Sequence, residues 1–267
     1  MESFFNRHCE EGSNLLKLFL NFCKFDEMNF MKKLIAIFTV LSLISCKKEV
    51  QTFSKNITII QDTVQNLKIK NIKEKDYATS NIMYIGKIKD SVELLDNLFL
   101  PPPPEPLVSS NEDKKWKKYR LKKEMIWEDL MKYLKDFHKY QLIKKENITL
   151  EFNEKDTIIS FDDINLDYYK SFPIFIKNVS KDTLSLGTEG YFPLILEAKN
   201  KKGKWIEVNK FPYNCGSFFK LVCLPPNEII ITSMFHYKGN YKTKFRFKIL
   251  DFVSREYDGS INEEQFR

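Results

Sequence analysis

Residues 241–249 read YKTKFRFKI. Successive side chains of a β-strand point to opposite faces, so a period of two sorts such a segment into two sides. Tyr241, Thr243, Phe245, Phe247 and Ile249 fall on one side, and Lys242, Lys244, Arg246 and Lys248 on the other. The segment is predicted to be a strand with its apolar face in a core. Similar signals recur from Glu146 onward. Ile148–Phe152 and Ile158–Phe161 flank the turn Asn153-Glu154-Lys155-Asp156, and Phe172, Ile174 and Ile176 alternate. Asn178-Val179-Ser180-Lys181-Asp182 turns the chain into Leu184 and Leu186, and Leu194–Ala198 and Trp205–Val208 flank Asn200-Lys201-Lys202-Gly203. Ile229–Tyr237 then leads through Lys238-Gly239-Asn240 into the alternating segment. Short strands separated by turn signals predict a mainly β fold, an antiparallel β-sandwich of immunoglobulin type over residues 146–252, with 253–267 as a C-terminal tail.

The region before the sandwich, 81–145, has two features. PPPPEP at 101–106 predicts an extended polyproline stretch, a stiff linker or a docking segment for an aromatic groove. From Lys122 to Tyr140, apolar Ile126, Leu130, Tyr133, Leu134 and Phe137 recur every three or four residues among five lysines. This predicts an amphipathic helix with a solvated polar face, or one that rests on anionic lipid. Residues 46–80 are polar with scattered apolar positions and read as a flexible tether.

The strongest indication of location is MKKLIAIFTVLSLISCKKEV at 31–50. Lys32 and Lys33 precede an apolar run from Leu34 to Ile44, too short for a spanning helix. The run ends in Leu43-Ile44-Ser45-Cys46, which resembles the lipobox of bacterial lipoproteins. That resemblance implies a signal peptide at 31–45 and lipidation of Cys46, whose acyl chains would hold the protein to a membrane. Residues 1–30 have no signal character and read as an over-extended reading frame, with translation starting at Met31. The net charge is +7, and residues 1–45 contribute nothing to it because five cations offset five acids there. Both signs are interspersed beyond Cys46, so nucleic acid is not an expected partner.

GYFPLILEAKNKKGKWIEV, NCGSFFKLVCLPPNE and HYKGNYKTKFRFKI together resemble lipoproteins of Bacteroidota bacteria with an immunoglobulin-like domain. The positions that carry the resemblance are Pro193, Glu197, Gly203, Trp205, Cys215, Gly216, Leu224, Pro225, Gly239, Thr243 and Arg246, over roughly 170–250. Ser217 directly after Gly216 departs from that pattern, and Cys223 has no counterpart in it. The resemblance implies an outer-membrane-anchored envelope protein, on the periplasmic or the outer side, and brings no activity with it. Asp62-Thr63-Val64, Asp90-Ser91-Val92, Asp156-Thr157-Ile158 and Asp182-Thr183-Leu184 resemble the O-glycosylation sites of such bacteria, which implies Thr63, Ser91, Thr157 and Thr183 as acceptors. Asp-Thr before an apolar residue equally marks a turn entering a strand.

Cys215 and Cys223 remain as a candidate disulfide outside the cytosol, or as two free thiols in neighbouring strands. Lys242, Lys244, Arg246 and Lys248 either protect a strand edge or form a strip for an anionic surface of lipid or glycan. No elbow around a nucleophile and no phosphate loop occurs in the sequence. Asp163, Asn165 and Asp167 have the first spacings of a calcium loop without its glycine or its closing glutamate. No metal, cofactor or enzymatic activity is therefore expected. The expected function is a lipid-anchored binding or structural module for a protein or glycan ligand, with an inhibitor of extracellular peptidases as the alternative.

Overall fold

The chain's β-branched and aromatic segments form strands in the order their turns dictate. The computed structural model describes residues 52–61, 76–77, 81–96, 98–99, 113–135, 141–142, 144–162, 167–188, 192–210 and 220–266, all within the unit Thr52–Arg267. A 3-10 turn at Phe53–Asn56 leads into β1 (Thr58–Ile60), followed by β2 (Asp76–Tyr77), β3 (Tyr84–Lys87) and β4 (Ser91–Glu93). Helix α1 (Asp113–Met131) comes next, then β5 (Leu134–Lys135), β6 (Gln141–Leu142), β7 (Ile148–Phe152), β8 (Ile158–Asp162) and β9 (Asp167–Asn178). The chain continues through β10 (Leu184–Thr188), β11 (Ile195–Lys199), β12 (Trp205–Glu207), β13 (Asn209–Lys210) and β14 (Leu221–Leu224). It ends with β15 (Glu228–Phe235), β16 (Tyr241–Ile249), β17 (Phe252–Val253) and β18 (Tyr257–Ile261).

The central sheet runs β3-β15-β9-β7, with β8 also on β9, and every pairing in it is antiparallel. A second sheet runs β12-β11-β16, with β17 and β18 both on β16. A third runs β5-β14-β10-β6. One face of the central sheet shares a single apolar cluster with the other two. Phe152, Phe172, Ile174 and Ile176 meet Leu184, Leu186, Val222 and Leu224 of the third sheet and Leu196, Phe247, Ile249 and Ile261 of the second. Aromatic rings interlock at its centre, where Phe247 meets Phe152 edge-on at 5.0 Å and lies over Tyr257 at 5.6 Å. The protein is mainly β, with several antiparallel sheets in layers, an arrangement consistent with a β-sandwich.

The alternation of β16 is realised as its sequence requires. Phe245, Phe247 and Ile249 are buried, while Lys242 and Lys244 are exposed. The expected turns are held by asparagine side chains. Asn153 Nδ2 donates to Asp156 Oδ1 at 2.7 Å, and Asn200 Oδ1 accepts from the backbone of Lys202 and Lys204, each at 3.0 Å.

Four expected boundaries need correction. First, part of the stretch expected as a tether, Thr52–Gln61, packs on the second face of the central sheet. β9 is buried continuously from Ser171 to Ile176, and β15 from Ile229 to Phe235. Phe175, Ile229 and Ile231 on that second face form a cluster with Ile57, Met83, Val92 and Leu94. The backbone N–H groups of Phe53 and Ser54 donate to the Glu151 carboxylate at 3.2 and 2.9 Å. Gln61 and the Ile159 backbone exchange two hydrogen bonds of 2.6 and 2.7 Å. β1 then pairs with β4 in parallel, across a connection that no local pattern announces.

Second, the layered β unit begins before residue 146, since β3 pairs with β15 from Tyr84↔Ile231 to Lys87↔Glu228. Third, residues 253–267 are not a tail. β18 pairs with β16, and Tyr257 and Ile261 enter the main cluster because the apolar residues of this short strand fall at its two ends. Fourth, the helix ends at Met131 rather than Tyr140. Tyr133 and Leu134 are buried, but in the turn after the helix and in β5, which pairs with β14. The chain keeps facing the core as it leaves the helix, so the apolar spacing continues past its end. Phe137 and the proline stretch at 101–106 lie outside the described residues.

Candidate functional site

A cleft of about 450 Å³ opens between the C-terminal half of α1, β3, β4 and the start of β15. Its volume is in the range of small-ligand pockets. Met83, Val92 and Leu98 form buried apolar floor, and Ile126 and Leu130 of α1 form a wall. Lys87, Lys89, Glu93, Asp129 and Lys132 stand around it. Two of these acids are already engaged: Lys122 pairs with Glu93, and Lys132 Nζ lies 3.9 Å from Asp129 Oδ1.

The polar end of the cleft is built by strand register. Tyr84 and Gly86 are two apart on β3 and so share a face. Register with β15 sets Lys87 opposite Glu228 and Gly86 opposite Ile229. Tyr133 enters from the turn that closes α1. The two phenols converge over Gly86, where a Cβ would stand 3.1 Å from the Tyr84 hydroxyl and 3.4 Å from that of Tyr133. Tyr84 donates its hydroxyl hydrogen to the Lys87 carbonyl at 2.6 Å. Burial first, then the neighbouring Glu228 carboxylate, hold the Tyr133 phenol well above the usual tyrosine range. Burial, followed by the charge of Glu228, also raises Tyr84. Glu228 Oε2 is buried and has no hydrogen-bond partner among the described residues. The site thus combines an apolar trough with a carboxylate oxygen that still has acceptor capacity, a pairing suited to binding.

Behind the helix, Lys123 is only 6% exposed and directs Nζ toward the Asp96 carbonyl at 3.5 Å. Burial lowers the Lys123 pKa and raises that of Asp96, and the charge of each partner partly offsets the shift. A lone buried lysine would be costly, and the neighbouring acid reduces that cost.

Ser91 is the one residue expected as a site from the sequence that lines the cleft, and it is exposed. Thr157 is exposed and Thr183 half-buried, while Cys46, Thr63 and Cys215 lie outside the described residues. Of the pair considered as a bridge, Cys223 falls within the described residues. Cys223 is a free thiol, 1% exposed, opposite Ser185 in β14. Burial pushes its pKa up to about 11, against a weaker opposing pull from Lys135.

The four cations of β16 share a face, but they do not form a free row. Arg246 Nε lies 2.6 Å from Glu197 Oε2, and its guanidinium stacks 4.2 Å from the Trp205 ring centre. Lys244 Nζ pairs with Asp258 at 2.8 Å. Lys242 is exposed and Lys248 half-buried. Cross-strand neighbours account for two of the four charges, which the sequence of β16 alone could not reveal.

Tyr84, Tyr133 and Glu228 are separated by long stretches of chain; the β3–β15 register brings Tyr84 and Glu228 together, and the turn after α1 adds Tyr133. Tyr133 stood out in the sequence solely as an apolar helix position. Fold and cleft together define a mainly β protein with a small-ligand-sized recess between α1, β3, β4 and β15. Comparison with protein-family models, with curated proteins and with solved structures finds no match. Among the described residues no three His, Cys, Asp or Glu side chains cluster to hold a metal ion, and no helix is long and apolar enough to cross a membrane.

Proposed function

We propose that the protein is a lipid-anchored binding module of the bacterial cell envelope, held to the outer membrane through Cys46, with its layered β unit as an immunoglobulin-like recognition domain. The observation that carries this reading is the run of Lys32-Lys33, apolar Leu34–Ile44 and Ser45-Cys46, which has the charge, length and terminal thiol that lipoprotein processing uses. The layered antiparallel sheets support the domain type, and the cleft beneath α1 supports binding as its role. Strand scaffolds of this kind present sites on faces and at their ends. In this reading residues 1–45 are absent from the mature protein, and the chain between Cys46 and Thr52 links lipid to domain.

Cys46→Ser tests the proposal in cells. The expected result is loss of incorporation of a labelled fatty acid, together with retention of the unprocessed precursor or release from the membrane fraction. Unchanged labelling and fractionation would refute the anchor. Intact-mass analysis of the wild-type protein adds a second readout, since a mature product that retains Phe4 or Phe5 contradicts a start at Met31.

A further inference from the structure

We propose that the cleft between α1, β3 and β15 binds a small organic cation, a primary ammonium group on an apolar body, with the ammonium at Glu228 and the apolar part along Met83, Val92 and Leu130. This deepens the binding-module reading by giving its ligand class, and it does not depend on the lipid at Cys46.

Three observations converge on it. Glu228 Oε2 is buried and accepts no hydrogen bond from any described residue. A carboxylate oxygen in that position loses water without a replacement donor, a situation that a charged N–H donor relieves most strongly. The Tyr133 and Tyr84 hydroxyls converge on the backbone at Gly86, and both phenols lie within the electrostatic reach of the same carboxylate. The floor of the recess beyond it is apolar. Met83 is 1% and Val92 2% exposed, and both line the cavity.

The charged rim does not redirect this preference. Lys122 pairs with Glu93, Lys132 Nζ lies 3.9 Å from Asp129 Oδ1, and Lys87, opposite Glu228 in the register, and Lys89 are exposed, where solvent screens them. The aromatic faces of Tyr84 and Tyr133 add attraction for a cation near their rings, as Lys132 Nζ, 5.1 Å from the Tyr133 ring centre, already illustrates.

The test uses the full chain in a non-ionic detergent and three probes of one shape: hexylammonium, hexanol and hexanoate. Binding is followed by calorimetry and by ligand-observed NMR. We expect saturable binding of hexylammonium in the millimolar range, at least about tenfold tighter than the alcohol or the acid. Glu228→Gln, which keeps the side-chain shape and removes the charge, should weaken hexylammonium by at least about tenfold, while Lys244→Ala, on β16 and not among the residues lining the cleft, should leave binding intact. Ser91→Trp at the cleft mouth should exclude all three probes, and it serves as the site test if Glu228→Gln unfolds the protein. Equal affinity for the three probes, no saturable binding, or hexylammonium affinity unchanged in both Glu228→Gln and Ser91→Trp would overturn the proposal. None of these outcomes bears on fatty-acid labelling at Cys46, so failure of the ligand class and failure of the anchor are separately visible.

Discussion

Gly239→Ala tests how the last strand is held. Gly239 sits in the turn before β16, and its N–H donates to Ser260 Oγ at 3.3 Å. A Cβ at this position would overlap the backbone of Ile261 and Asn262 at the end of β18. The obstacle is backbone rather than the tip of a flexible side chain, so either the turn or the end of β18 must move bodily. Overpacking of this kind costs about 1–3 kcal/mol. If β18 lifts, Ile261, which is 0% exposed, also loses part of a burial whose complete removal costs about 2–5 kcal/mol. The expected loss is therefore about 2–4 kcal/mol, or about 4–16 °C in Tm for a unit of this size.

Gly203→Ala is the control. Gly203 has φ +73° and a Cβ there would meet nothing within 4 Å, so only its left-handed backbone is penalised, by about 1–2 kcal/mol. Guanidinium titration followed by far-UV circular dichroism measures both variants. A Gly239→Ala loss under about 0.5 kcal/mol, the size of an ordinary surface substitution, or one smaller than that of Gly203→Ala, would refute the reasoning.

Two further outcomes follow from the described contacts. Glu197→Ala should destabilise by about 1–3 kcal/mol because it strands Arg246 in a half-buried position, whereas Lys244→Ala, whose partner Asp258 has a side chain 83% exposed, should cost under about 1 kcal/mol; equal losses in denaturant titration would contradict the difference in burial. Cys223 should resist alkylation in the native protein near pH 8 and react fully once unfolded, as read by mass mapping. Its pKa is raised from 9.0 to about 11 by burial, so the folded state favours the protonated thiol, and the stability this contributes is present below about pH 9 and is lost as pH rises toward 11.

The sequence made β16 legible because its sheet has one face in the core and one toward solvent, which is the condition under which period two appears. β9 and β15 were recognisable as strands, but their second buried face was not. Pro173 and Ser171 are buried along with Phe172 and Ile174, and the segments that cover Phe175 come from residues 53–59 and 83–94. Their attachment through the Glu151 carboxylate and a parallel β1–β4 pair has no local signature. The C-terminal strand was missed for a related reason: YDGSI carries apolar side chains only at Tyr257 and Ile261, too few to show a period. The cleft was illegible for the most general cause, since Tyr84, Tyr133 and Glu228 become neighbours through register and the turn after α1 rather than through spacing. The β16 cations were legible as a face, but their carboxylate partners on β11 and β18 were not.

β9 is shared by β7, β8 and β15, and β15 in turn carries β3. A chain synthesised from its N-terminus therefore holds β3 unpaired, and β9 open along one edge, until Glu228–Phe235 has emerged. Pairings of such long sequence separation close slowly, because loop entropy is lost before contacts compensate. If the chain is exported as proposed, that delay keeps it loose enough to pass. Its counterpart is a vulnerable interval, in which the apolar run Phe172–Ile176 presents a free strand edge on which another chain can add.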